Sequence, residues 1–169
     1  MQSQARARSV AFLSMCLALA LILSYVEALI PFNIGIPGVK LGLANTACVF
    51  LLYFTDTKSA FTVGLLRVIL AGLLFGNMFS ILYSLAGFAL SFAAMVLVKK
   101  TEKISIISVS ATGGICHNIG QYIIAVLIVS NYRILYYLPV LILSGLVTGV
   151  IIGIISYEII IHMPENLME

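Results

Sequence analysis

Six apolar runs, parted by breaks of ten residues or fewer, take up nearly all of this chain and leave it one solvent in which to fold, the lipid bilayer. They cover residues 10–30, 41–54, 59–75, 77–98, 104–129 and 134–161. A spanning helix needs about 20 mainly apolar residues, within a range of roughly 17–25. The expected fold is therefore an all-α integral membrane protein, a six-transmembrane-helix bundle forming one domain over residues 1–169. The second run is short at 14 residues and either borrows from the preceding loop or stops before crossing fully. An outer-membrane barrel is excluded, because its strands of ~10 residues alternate in polarity whereas these runs are continuous.

With 62% hydrophobic and 9% charged residues among 169, there is too little polar surface for a soluble domain. The formal net charge of +3 is too small and too dispersed for a nucleic-acid partner. Its distribution sets a topology. With the N-terminus inside, the cytoplasmic segments hold Arg6, Arg8, Lys58, Lys99, Lys100 and Lys103, and the outer loops hold only Lys40 and Arg133. That bias predicts a multi-pass protein of the cell membrane with both termini cytoplasmic. The run at 10–30 has 21 residues, long for a signal-peptide core, and more runs follow, so it reads as the first transmembrane helix. Cys16, Cys48 and Cys116 all lie in apolar runs without paired spacing and read as small core residues, not as disulfides or metal ligands.

Against this background the few polar residues stand out. Glu27, Lys40, Asn45, Arg67, His117, Asn118 and Gln121 fall within or beside the apolar runs. A polar group at bilayer depth is costly unless it meets a partner or a water-filled cavity, so each is a candidate for binding. Arg67 sits eight residues or more from either end of its run and has little room to snorkel to the surface. It needs a counter-ion, for which Glu27 is the candidate, or a ligand. His117, Asn118 and Gln121 are spaced to share one helix face; interhelical hydrogen bonding and direct contact with a ligand both fit them. The turn-rich loop Pro31-Phe-Asn-Ile-Gly-Ile-Pro-Gly-Val-Lys40 reads either as a plain connector with a snorkelling lysine or as a lid that presents Lys40 to an anion. Placed by depth, the polar set converges on an outward-facing or central cavity.

Two small-residue patterns concern packing. Ala7, Ala11, Ser14 and Ala18 form a stripe along the first helix, suited to close helix contact within the bundle or with a partner membrane protein. Gly145, Gly149 and Gly153 form overlapping GxxxG patterns in the sixth run, which favour close packing inside the bundle. No phosphate-binding loop is present, so ATP hydrolysis must come from elsewhere. Asp56 is the only aspartate, and no carboxylate cluster stands ready to hold the Mg²⁺ that prenyl diphosphate chemistry uses. No catalytic residues, metal site or cofactor are expected.

Several of these segments resemble one membrane family: Glu27-Ala-Leu-Ile-Pro31, Pro37-Gly-Val-Lys-Leu-Gly-Leu-Ala-Asn45, Arg67 with Ala71-Gly-Leu-Leu-Phe-Gly76, Ser84-Leu-Ala-Gly87, His117-Asn-Ile-Gly-Gln121, and Leu138-Pro through Ser144-Gly-Leu-Val-Thr-Gly149. The likeness, over about residues 20–155, is to the family labelled heptaprenyl diphosphate synthase component I, also called the Gx transporter family. That family looks like the substrate-binding (S) components of energy-coupling factor (ECF) transporters. The resemblance implies a membrane-embedded, non-enzymatic protein that captures a small, anionic metabolite or vitamin-like solute from outside, flavin-like or isoprenoid-related. It also implies partners: an ECF coupling membrane protein, docked on the helix-one stripe, and two cytoplasmic ATPases. The family label implies an alternative, a non-catalytic membrane subunit assisting a prenyl diphosphate synthase or a membrane redox assembly.

Overall fold

A computed structural model describes residues 2–29, 42–129, 136 and 138–164. Its elements are six helices: α1 (Gln2–Leu29), α2 (Asn45–Phe54), α3 (Thr57–Phe75), α4 (Met78–Lys99), α5 (Ile106–Val129) and α6 (Leu138–His162). Five of them, all but α2, are long and apolar enough to cross a membrane, which makes this a multi-pass membrane protein built as a helical bundle. Helix α1 starts at Gln2, ahead of the apolar run, because its first turns contain Gln, Ala and Arg and neither Gly nor Pro.

Helix α2 corrects the expected six spans. Gly42 adopts a left-handed conformation (φ 71°), so the helix cannot extend back through it. It begins at Asn45 and has 10 residues. At ~1.5 Å per residue that is about 15 Å, half of the ~30 Å hydrocarbon. Only two residues separate its last residue, Phe54, from Thr57, so α2 ends at the end of the bundle where α3 starts.

The two tight connections are capped by side chains. Asp56 accepts the backbone N–H groups of Lys58 (3.0 Å) and Ser59 (3.1 Å) at the start of α3. Asn77 accepts that of Ser80 (2.8 Å) at the start of α4. Both satisfy helix-end donors that have no partner within their own helix. Gly76 and Asn77 alone join α3 to α4, and Gly72 lets Ile81 pack against the α3 backbone, giving a close hairpin.

Glycines also set the spacing of α4, α5 and α6. A Cβ on Gly114 of α5 would lie 2.1 Å from the Gly145 carbonyl oxygen of α6, and one on Gly120 would lie 2.5 Å from that of Ala86 on α4. Gly149 and Gly153 pack in the same way on Ala111 and Ile107. Without a hydrophobic drive between helices in lipid, such backbone contact is how they associate. Helix α1 packs on α3 and α2 through a face that includes Phe12, Cys16 and Ala20.

One end of the bundle is filled with aromatic side chains. Phe12 of α1 lies against Phe50 and Phe54 of α2, with ring centroids 6.4 and 5.8 Å away, and Phe61, Phe88 and Phe92 form a second cluster. Lys99, the last residue of α4, donates to the Leu52 carbonyl of α2 and lies 4.8 Å above the Tyr53 ring. A cation on the terminal carbonyls of a short helix satisfies them and complements its dipole. The bundle is thus closed at the end where α2 and α3 meet, and the described polar residues of the expected site lie from mid-depth towards the other end.

Candidate ligand-binding site

The short second helix places the site. Asn45, its first residue, accepts a hydrogen bond from the Arg67 guanidinium at the middle of α3. Counted from their common end, both residues lie about 15 Å along their helices, so the N-terminus of α2 stops near mid-depth beside the arginine. Ala44, at the N-cap position, has no side chain to cap the helix. Glu27 of α1 supplies a cap from outside: its Oε1 accepts the backbone N–H of Leu43 at 2.8 Å. The pair considered from sequence, Glu27 with Arg67, is therefore not formed directly. Each side chain instead holds the turn that leads into α2.

Above this turn the helices enclose a cavity of about 130 Å³. Every described residue of the expected site lines it: Glu27, Asn45, Arg67, His117, Asn118 and Gln121. Lys40 and its loop lie outside the described residues. Arg67 and Glu27 are the only charged groups among the described lining residues. Phe75, Gly76 and Ser80, at the α3–α4 turn, also line it, so the cavity reaches from mid-depth to that end of the bundle.

Helices α5 and α6 build the opposite wall. Asn118 donates both amide hydrogens, to the Leu141 carbonyl (2.7 Å) and to Ser144 Oγ (3.1 Å). Asn118 thus makes the interhelical hydrogen bonds considered from sequence and also lines the cavity. His117 and Gln121 have room because α4 carries Gly87 opposite them; a Cβ there would sit 2.9 Å from His117 Cε1 and 3.0 Å from Gln121 Cγ. A smaller chamber of about 20 Å³ adjoins the cavity, shares Asn45, Gly114, His117 and Ile152 with it, and is lined by buried Ser91 and Ser110. It has the volume for a single water.

Four further polar side chains line the main cavity: Ser24, Ser80, Ser84 and Thr148. Hydroxyls are common in membrane helices, where they bond a carbonyl one turn back, as Ser24 does to Ala20 (2.9 Å) and Thr148 to Ser144 (2.9 Å). The sequence signal for such residues is correspondingly weak. Among the described residues no three His, Cys, Asp or Glu side chains come together as a metal site.

The stripe on α1 points the other way. Ala7, Ala11, Ser14 and Ala18 are all exposed, whereas Phe12, Cys16 and Ala20 face the bundle. Internal packing does not account for the stripe.

Fold and site together define a multi-pass helical membrane protein with a mixed-charge polar cavity enclosed by its helices. The sequence model for heptaprenyl diphosphate synthase component I matches residues 16–159, and the chain belongs to that family. Neither a curated protein nor a solved structure gave a significant match.

Proposed function

We propose that this protein is the membrane-embedded substrate-binding component of an ECF-type transporter, holding a small solute with an anionic group in the cavity around Arg67. The observation that carries this reading is the convergence of Glu27, Asn45, Arg67, His117, Asn118 and Gln121 on one cavity in an otherwise apolar bundle. A helix ending at mid-depth beside an arginine is an arrangement suited to an anion, because the helix N-terminus and the guanidinium add their positive fields. Asn45, His117, Asn118 and Gln121 supply hydrogen-bonding groups around it. In the orientation set by the basic residues, the cavity faces outward and both termini are cytoplasmic. The exposed α1 stripe is the docking face for a coupling membrane protein, with cytoplasmic ATPases supplying the energy. The chain itself performs no chemistry.

The family description favours a second reading, since a component I implies another component. There the chain is a non-catalytic membrane subunit beside a prenyl diphosphate synthase. Native mass spectrometry of the protein purified gently from its own membrane separates the two. A stoichiometric small molecule, or co-purifying coupling protein and ATPases, supports capture and transport; a soluble synthase subunit with neither supports the accessory role. In the capture reading, Arg67→Ala inserts at wild-type level and loses the co-purifying ligand. Full retention of that ligand would remove Arg67 from the site.

A further inference from the structure

The donors and acceptors that line the cavity are largely fixed by the hydrogen bonds they already make, and what they leave over describes the ligand. A guanidinium only donates, so the Asn45 atom it meets is Oδ1, and Asn45 has its NH₂ left to offer. Arg67 has further N–H groups beyond the one committed to Asn45. This side of the cavity, built from α2 and α3, is a donor wall.

The same reasoning leaves only acceptors on four side chains around the cavity, while Gln121, Ser80 and Ser84 can both donate and accept. A carbonyl only accepts, so the Asn118 atom facing Leu141 is its NH₂, and the hydroxyl of Ser144, which donates to the same carbonyl at 3.0 Å, must accept the second amide hydrogen. Asn118 therefore has only Oδ1 left. Thr148 has donated its hydroxyl hydrogen to the Ser144 carbonyl and Ser24 its own to that of Ala20, leaving lone pairs. Glu27 uses one carboxylate oxygen on Leu43 and keeps the other. The donor wall must be met by acceptors on the ligand, and Glu27, Ser24, Thr148 and Asn118 by N–H or O–H donors. A buried polar group left unmet costs more than a good hydrogen bond returns, so a ligand lacking either kind is penalised.

Charge and volume narrow this further. The described lining residues carry one positive and one negative side chain, which balance. A cavity of about 130 Å³ is in the size class that receives a guest of one ring, since ~150 Å³ accommodates benzene. We infer that the cavity is built for a compact zwitterion of about single-ring size, with its anionic end on Arg67 and Asn45 and a protonated amine towards Glu27 and the acceptors Thr148 and Asn118. A diphosphate group, whose charges are all negative, matches the donor wall and leaves the Glu27 carboxylate facing like charge instead of a cation. This inference rests on the capture reading and narrows it.

The test uses the full-length protein in detergent and matched single-ring probe sets. Each set holds an amino-carboxylate (proline, phenylglycine, aminomethylbenzoate), its carboxylate-only and amine-only analogues, and inorganic diphosphate for comparison. Calorimetric or thermal-shift titration is expected to rank the amino-carboxylates at least tenfold tighter than either single-ended analogue or diphosphate. Glu27→Gln keeps an acceptor for the Leu43 N–H and removes the charge. It is expected to cut amino-carboxylate affinity at least tenfold and leave carboxylate-only affinity within twofold. Thr148→Val gives a second readout on the acceptors, with a smaller loss confined to the amine-bearing probes. Equal or tighter binding of carboxylates or diphosphate overturns the zwitterion assignment and leaves capture of a solute standing. Silence from every class, with no small molecule retained through purification, overturns both.

Discussion

Arg67 and Asn45 act as a unit at the scale of single residues. Asn45→Leu strands a guanidinium inside the bundle, which costs about 1–3 kcal/mol or more for a charged group. Arg67→Leu removes the charge with its bond and leaves an amide beside an open cavity, a milder change. The expected order in thermal unfolding in detergent is therefore Asn45→Leu below Arg67→Leu, with the double variant less destabilised than the sum of the two. Strict additivity would mean that the hydrogen bond couples nothing. Asp56, outside the membrane-spanning helices, gives a pH-dependent prediction. Hydrogen bonds from the Ser59 side chain and backbone, with a smaller one from Lys58, hold its carboxyl below the ordinary aspartate value. The cap's pH-dependent part is thus fully present above the unfolded-chain value of about 3.9 and is lost as pH falls through the lower folded value. Asp56→Ala should lower stability by ~1 kcal/mol at neutral pH, with the gap to wild type narrowing only in acid below about pH 4. Asp56→Asn retains a cap and should flatten that dependence. Six of the ten polar side chains that line the cavity were legible in the sequence, because Glu27, Asn45, Arg67, His117, Asn118 and Gln121 are rare polar groups in an apolar chain. Their partners were not: nothing in the residue order indicates that Glu27 takes the Leu43 N–H while Arg67 takes Asn45.

At the scale of elements, the spacing of α4, α5 and α6 depends on which glycines face backbone and which face movable side chains. Gly113 and Gly114 are neighbours on α5 and gain alike from replacement by the better helix former alanine. A Cβ on Gly114 meets the Gly145 carbonyl oxygen at 2.1 Å, and only separation of α5 from α6 relieves that. A Cβ on Gly113 meets Met95 Sδ at 2.6 Å, the far end of a flexible side chain. Gly114→Ala should therefore cost on the order of 1–3 kcal/mol through overpacking, while Gly113→Ala stays within ~1 kcal/mol of wild type as the propensity gain offsets the strain. Melting temperatures of the two variants in one detergent check this, and equal values would remove backbone contact as the cause. The GxxxG spacing in the sixth run pointed to this packing, because periodic small residues survive as a pattern in sequence. The true start of α2 did not, since Leu41-Gly-Leu-Ala is apolar enough to read as helix, and the left-handed turn at Gly42 is a conformational fact that hydropathy does not carry. That turn, by ending α2 at mid-depth, is what creates the site.

For the whole molecule, the proposed function gives two of its surfaces separate tasks. The cavity lies towards the α3–α4 turn, whereas Ala7, Ala11, Ser14 and Ala18 lie exposed along the opposite half of α1. Residues of the stripe line neither the cavity nor the core, so changing them should leave both intact. A stripe of small side chains lets another helix approach to backbone distance, and one large side chain is enough to hold it off. Ala11→Leu is therefore expected to fold and to keep its melting temperature within a few degrees. It should bind small molecules as wild type does and lose most of its association with a co-expressed coupling protein, measured as the partner-to-protein ratio after affinity purification. Ala11→Ser, similar in size, should retain that ratio and shows whether bulk is the cause. A wild-type ratio in the leucine variant would count against the stripe as the docking face. If ligand binding fell in step with partner association, the two surfaces would be coupled through α1, whose Glu27 reaches the cavity more than four turns beyond Ala11.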